Sequence, residues 1–181
     1  MTAVQAPSVE VETSSADETR ALGRRLAGLL RPGDVVVLSG DLGAGKTTLA
    51  QGIGAGLGVR GDVTSPTFVI SRVHPSLVDG PPLVHVDAYR LHDGAELDDL
   101  DLDETLEVGV TVVEWGDGLA DSLSADRLRV HLGRRGGWVD RSGGLVSEGE
   151  VDPGDEPRSI TVQGFGPRWE SVDLGGALDG S

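Results

Sequence analysis

Cysteine is missing altogether from this sequence of 181 residues. Its absence excludes a disulfide framework, a thiolate zinc site and a cysteine nucleophile. Basic residues are scarce: 15 Lys and Arg stand against 30 Asp and Glu, for a formal net charge of −15. That balance opposes tight independent binding to DNA or RNA, where a basic surface supplies the affinity, so any RNA is expected to be held by a partner. No apolar run is long enough to span a bilayer, and residues 1–15 lack the basic n-region and apolar core of a signal peptide. A soluble cytoplasmic protein is the expectation, with one domain long enough for a real core.

What is present centres on the stretch from Asp34 to Leu57. An apolar run, Val35-Val36-Val37-Leu38, leads into Gly40-Asp41-Leu42-Gly43-Ala44-Gly45-Lys46-Thr47, and Thr48 opens a helix-compatible segment. This is G-x-x-x-x-G-K-[ST] between a strand and a helix, the context a phosphate-binding loop requires. The glycines let backbone N–H groups turn inward around phosphate oxygens, and the helix start aims unpaired N–H groups at the same place. Lys46 is expected along the β- and γ-phosphates of ATP, and the Thr47 hydroxyl in a Mg²⁺ shell.

Two later strands end in acids. Leu83-Val84-His85-Val86-Asp87 closes on Asp87, and Val110-Thr111-Val112-Val113-Glu114-Trp115-Gly116 carries Glu114 at its end. Ligands of open α/β sheets sit beyond the strands' carboxyl ends, so both carboxylates should lie beside the phosphate loop. One would complete the Mg²⁺ shell and the other orient a water; the residues leave open which does which. His85 reads as a packed strand residue, and Trp115 either stacks on a ligand or fills the core beside the site. Between loop and strand, Ser65-Pro66-Thr67-Phe68 is a polar turn entering a strand, read either as a switch segment that reports on the γ-phosphate or as an ordinary hydroxyl-bonded turn.

The rest of the chain supplies scaffold. Val9 to Thr13 alternates as a strand, Ser15 to Glu18 spells a capping box, and Leu22, Leu26, Leu29 and Leu30 mark a helix stopped by Pro32-Gly33. Leu49, Ile53 and Leu57 stripe the helix after the loop; Gly52, Gly54 and Gly56 weaken its propensity, so docking on the sheet is expected to be what mainly holds it. From Glu96 to Glu107 seven acids and no base alternate with Leu97, Leu100, Leu102 and Leu106, predicting short helices with an apolar underside and a negative outer face, either merely solvated or matched to a basic partner. Residues 127–132 and 159–163 predict a hairpin around an extended loop from Gly133 to Pro157. The expected domain is 1–163, an α/β P-loop NTPase-type fold with a mostly parallel central sheet flanked by helices and a C-terminal antiparallel hairpin, and 164–181 is expected to be a loosely ordered tail.

Taken together, Gly40 to Thr48, Ser65 to Phe68, His85-Val86-Asp87-Ala88-Tyr89-Arg90-Leu91 and Glu114-Trp115-Gly116 resemble, in order and spacing, the TsaE (YjeE) family, the ATPase of bacterial tRNA threonylcarbamoyladenosine biosynthesis. The resemblance covers roughly residues 9–132. It implies weak ATP hydrolysis to ADP, and association with the TsaD and TsaB proteins, which transfer a threonylcarbamoyl group to adenosine 37 of tRNA. The family member resets that complex and touches tRNA only through it. The resemblance also implies that Thr47 and Glu114 are magnesium ligands, that Asp87 is the second-strand acid, that 65–68 is switch-like, and that Thr19 lies beside the adenine. Two other readings remain at this point: a small-molecule kinase, with Arg134, Arg135 and Arg141 of the extended loop as phosphate clamps, and a nucleotide-gated binding module with negligible hydrolysis.

Overall fold

Continuous apolar strands belong where a sheet is covered on both faces, and here they lie side by side in its middle. The computed structural model describes residues 7–41, 43–64, 71–89, 102–115, 118, 123–134 and 157–180. Among them are β1 (Ser8–Thr13), α1 (Ala16–Ala27), β2 (Val35–Gly40), α2 (Lys46–Leu57), β3 (Ser71–His74), β4 (Leu83–Asp87), α3 (Asp103–Val108), β5 (Val110–Glu114), β6 (Arg127–Arg134) and β7 (Arg158–Phe165). Two short helices, α4 (Pro167–Glu170) and α5 (Leu174–Leu178), follow. The strand order is β1-β7-β6-β2-β5-β4-β3. The four central strands, β6, β2, β5 and β4, run parallel. Antiparallel strands border them on both sides, β3 at one end and β7 with β1 at the other.

One face of the sheet buries Val36, Leu38, Val110, Val112, Leu128 and Val130 beneath Leu22 and Leu26 of α1 and Leu49, Ile53 and Leu57 of α2. The other carries a smaller cluster in which Val35, Val37, Val84, Val86 and Val113 meet Leu102 and the half-buried Leu106. α1 starts as its sequence foretells. The Ser15 hydroxyl accepts the Glu18 N–H at 3.2 Å, while the Glu18 carboxylate reaches one residue further back than an ideal capping box, to the Ser14 N–H at 2.6 Å.

The glycines of α2 have a packing reason beyond the sheet. A methyl group on Gly52 would land on the Arg20 carbonyl, one on Gly56 would press on Ala27 and Arg24, and one on Gly23 would come within 2.8 Å of the Gly52 Cα. The two helices therefore touch backbone to backbone, and α1 shares with the sheet in holding α2, where the sequence predicts the sheet as its main support.

Two boundaries also move. Gly133 and Arg134, placed by their sequence in a flexible loop, extend β6 in register with Ser159 and Arg158. Residues 164–180, expected to be loose, are folded. Trp169, Leu174 and Leu178 are buried in the same core as Leu22 and Leu26. Arg168 ties this segment down by donating to the Leu29 carbonyl at 2.8 Å and to the buried Asp34 carboxylate at 3.2 Å. The strand expected after the polar turn is β3, and α3 is the described part of the acidic stretch, with Asp103, Glu104 and Glu107 exposed. Leu42, the segment 65–68, residues 90–101, Gly116, Arg135 and Arg141 lie outside the described residues.

Candidate active site

β2 delivers the chain into the loop and α2 takes it out. Gly45 caps α2 with φ +100°, a left-handed conformation that a side chain strongly disfavours. A glycine cap offers no side-chain acceptor, and the N–H groups of the first turn, Lys46 to Thr48, have no acceptor within the helix. Gly43 is likewise left-handed, at φ +76°. The turn is closed by the Ala44 N–H donating to the Asp41 carbonyl at 3.0 Å. What results is a concave run of amides at the positive end of a helix, the kind of surface that anions occupy.

Lys46, the only lysine of the chain, lies against that run. Its ammonium donates to the carbonyls of Gly40 at 2.7 Å and Asp41 at 2.8 Å and sits 3.9 Å from the centre of the Trp115 ring. Burial lowers its pKa from the ordinary value of 10.5, and Glu114, Asp41 and Asp87 pull it back up. Trp115 is half-buried, so it neither fills the core nor stands free. It is held at φ +59°, an uncommon conformation for so bulky a residue, and the edge of Tyr89 meets its ring at 5.2 Å.

The strand-end acids arrive where expected. Asp87 and Glu114 are register partners on the parallel pair β4 and β5, and Glu114 also pairs with Leu38 of β2. Both are buried and share the face that carries α2, since Leu83 and Val110, spaced evenly back along the same strands, belong to the core under that helix. The Thr47 hydroxyl donates to Glu114 Oε1 at 3.0 Å. That bond uses the threonine proton and leaves its oxygen lone pairs for a cation. The Asp87 carboxylate accepts the Tyr89 N–H at 3.0 Å through Oδ1. The hydroxyl and the two carboxylates are hard oxygen donors of the kind Mg²⁺ takes alongside phosphate oxygens, so the residues present fit a magnesium nucleotide.

Thr19 is not open to a ligand in this arrangement. Its buried hydroxyl is shared with Thr13 at 2.9 Å and donates to the Ser15 carbonyl at 3.1 Å. The next residue, Arg20, joins α1 to α2 by donating to the Gln51 side chain at 3.2 Å.

Sequence reasoning missed Arg158. It is buried, and its guanidinium donates to the Gly43 carbonyl at 2.7 Å. Its register partner Arg134 reaches the same glycine, so that a methyl added there would come within 2.8 Å of the Arg134 guanidinium. The only signal in the sequence was that β7 begins on an arginine.

Residues 13–141 match the family described as Threonylcarbamoyl adenosine biosynthesis protein TsaE. A Streptomyces coelicolor protein named tRNA threonylcarbamoyladenosine biosynthesis protein TsaE is 59% identical over 156 residues, covering 86% of this chain and 96% of that one. A Bacillus subtilis protein of the same name is 38% identical, with 88% of each chain covered. Among solved structures, the crystal structure of Bacillus subtilis YdiB matches with a TM-score of 0.67 at 32% identity, covering 91% of this chain and 90% of that one.

Proposed function

The chain belongs to the TsaE family of threonylcarbamoyl adenosine biosynthesis proteins, and from that premise we propose that it is the ATP-hydrolysing component of the tRNA-modifying machinery. The observation that carries the catalytic part is the Thr47 to Glu114 hydrogen bond beside the loop, which couples the phosphate-binding helix to the strand-end acids. Thr47, Glu114 and Asp87 are the residues that would hold Mg²⁺, whose contribution is to neutralise charge building on the β- and γ-phosphates. Lys46 would exchange two loop carbonyls for phosphate oxygens, a trade its position among amides favours. Of the two buried acids, Glu114 is tied to Thr47, and either carboxylate stands where it could also orient a water. Arg158 braces the loop through the Gly43 carbonyl, with the Arg134 guanidinium beside the same glycine.

With a charge of −15, the protein is suited to act on TsaD and TsaB rather than on tRNA. The exposed acids of α3 are a candidate contact, to be tested by capture of TsaD and TsaB with Asp103, Glu104 and Glu107 changed to Ser. Threonylcarbamoylation of tRNA, reconstituted under multiple turnover, tests the whole reading. The chain should sustain turnover beyond the first cycle and Lys46→Ala should not; an equal yield without the chain contradicts the proposal. The two guanidinium groups beside Gly43 also suit phosphoryl transfer to a small molecule, the second reading. Release of free phosphate supports the ATPase, and a phosphorylated metabolite supports the kinase.

A further inference from the structure

His85 is left unused by the reading above, yet it lies inside the site. It stands two residues before Asp87 on β4, and its side chain is fully buried. Among the described residues, neither of its ring nitrogens has a hydrogen-bond partner. A buried donor without a partner costs stability, so an acceptor within reach matters. The carboxylate beside it is that of Glu114: His85 Nε2 lies 3.5 Å from Oε2, while Oε1 takes the Thr47 hydroxyl. The terminal torsion of a glutamate is broad, and one hydrogen bond leaves the carboxylate plane free to swing. A second anchor on the opposite oxygen would fix it. The 3.5 Å contact is longer than a formed hydrogen bond, and a shift of about half an ångström would close it.

We propose that His85 is a positioning residue for Glu114, its Nε2–H holding Oε2 so that Oε1 stays aligned with the Thr47 hydroxyl and Thr47 presents its lone pairs toward the phosphates. Partners of this outer kind set the orientation of the groups that meet a metal. The inference rests on reading the loop as a magnesium nucleotide site, and the test keeps the two apart. ADP binding is measured by calorimetry, with Mg²⁺ and with a chelator, for the wild type, His85→Phe and His85→Gln, each alone and combined with Glu114→Gln. His85→Phe should bind ADP normally in chelator and lose about 10-fold or more of the gain that Mg²⁺ gives. His85→Gln, whose amide nitrogen reaches the place of Nε2, should recover most of that gain, and neither change should add to Glu114→Gln.

Full retention of the gain in His85→Phe overturns the role. So does an equal loss with and without Mg²⁺, which would make His85 a packing residue only. A wild type that gains nothing from Mg²⁺ overturns the reading of the site and this inference with it. If circular dichroism shows that His85→Phe does not fold, His85→Leu takes its place in the two Glu114 backgrounds, and independence of the two positions counts against the proposal.

Discussion

At the scale of single residues, the side chains that matter most are those whose environment fixes their charge or direction. Glu114→Gln keeps the length of the side chain and can still accept from Thr47, but it removes the negative charge. Mg²⁺-dependent hydrolysis is expected to fall about 100-fold while nucleotide affinity changes far less. Phosphate release and ADP titration on the same sample separate the two, and equal losses would contradict the assignment. His74 makes a different prediction. It is buried at the end of β3, and burial lowers its pKa below the ordinary 6.5, the Arg60 carbonyl at 3.3 Å opposing only in part. The unfolded chain therefore takes up this proton before the folded one does as pH falls past 6.5. Stability contributed by the neutral ring is complete above that value, declines through the window beneath it, and levels off below the folded value. Urea midpoints at pH 7.5 and 5.5 should differ more for the wild type than for His74→Gln.

At the scale of elements, the seam between α1 and α2 decides how firmly the loop is held. Gly52→Ala would raise helix propensity by about 1 kcal/mol, but its methyl would meet the Arg20 carbonyl, and overpacking of that kind costs about 1–3 kcal/mol or more. The clash wins, so net destabilisation is expected, measurable as a lower thermal midpoint; an unchanged or raised midpoint would mean that the helices can part without loss. The elements also show what could be read in advance. β2, the loop, β4 and β5 were legible because each carries its chemistry at a strand end, where spacing along the chain becomes proximity in space. Arg158 was not, because it meets Gly43 across a sequence separation of 115 residues and only the β6–β7 register brings it there. Likewise, Gly52 and Gly56 look like weaknesses in one helix until a second helix is laid against them.

At the scale of the whole molecule, the last 17 described residues, 164–180, complete the main core instead of trailing from it. Their helices span four and five residues, too short for apolar periodicity to be visible, which is why their order escaped the sequence. Trp169 is fully buried and Arg168 lies over its ring at 4.2 Å. Trp169→Ala is expected to cost about 3–5 kcal/mol, read from denaturant midpoints. A loss under about 1 kcal/mol would show that the segment is dispensable to the core.

Because Lys46 is the sole lysine and its ammonium lies under the Trp115 indole, the chain carries a natural label at the floor of its loop. Reductive methylation with carbon-13 formaldehyde would mark that amine and the chain's α-amino group and nothing else. Ring-current shielding should push the Lys46 methyl resonance upfield, and its return toward the random-coil position would time the moment the indole and the amine separate.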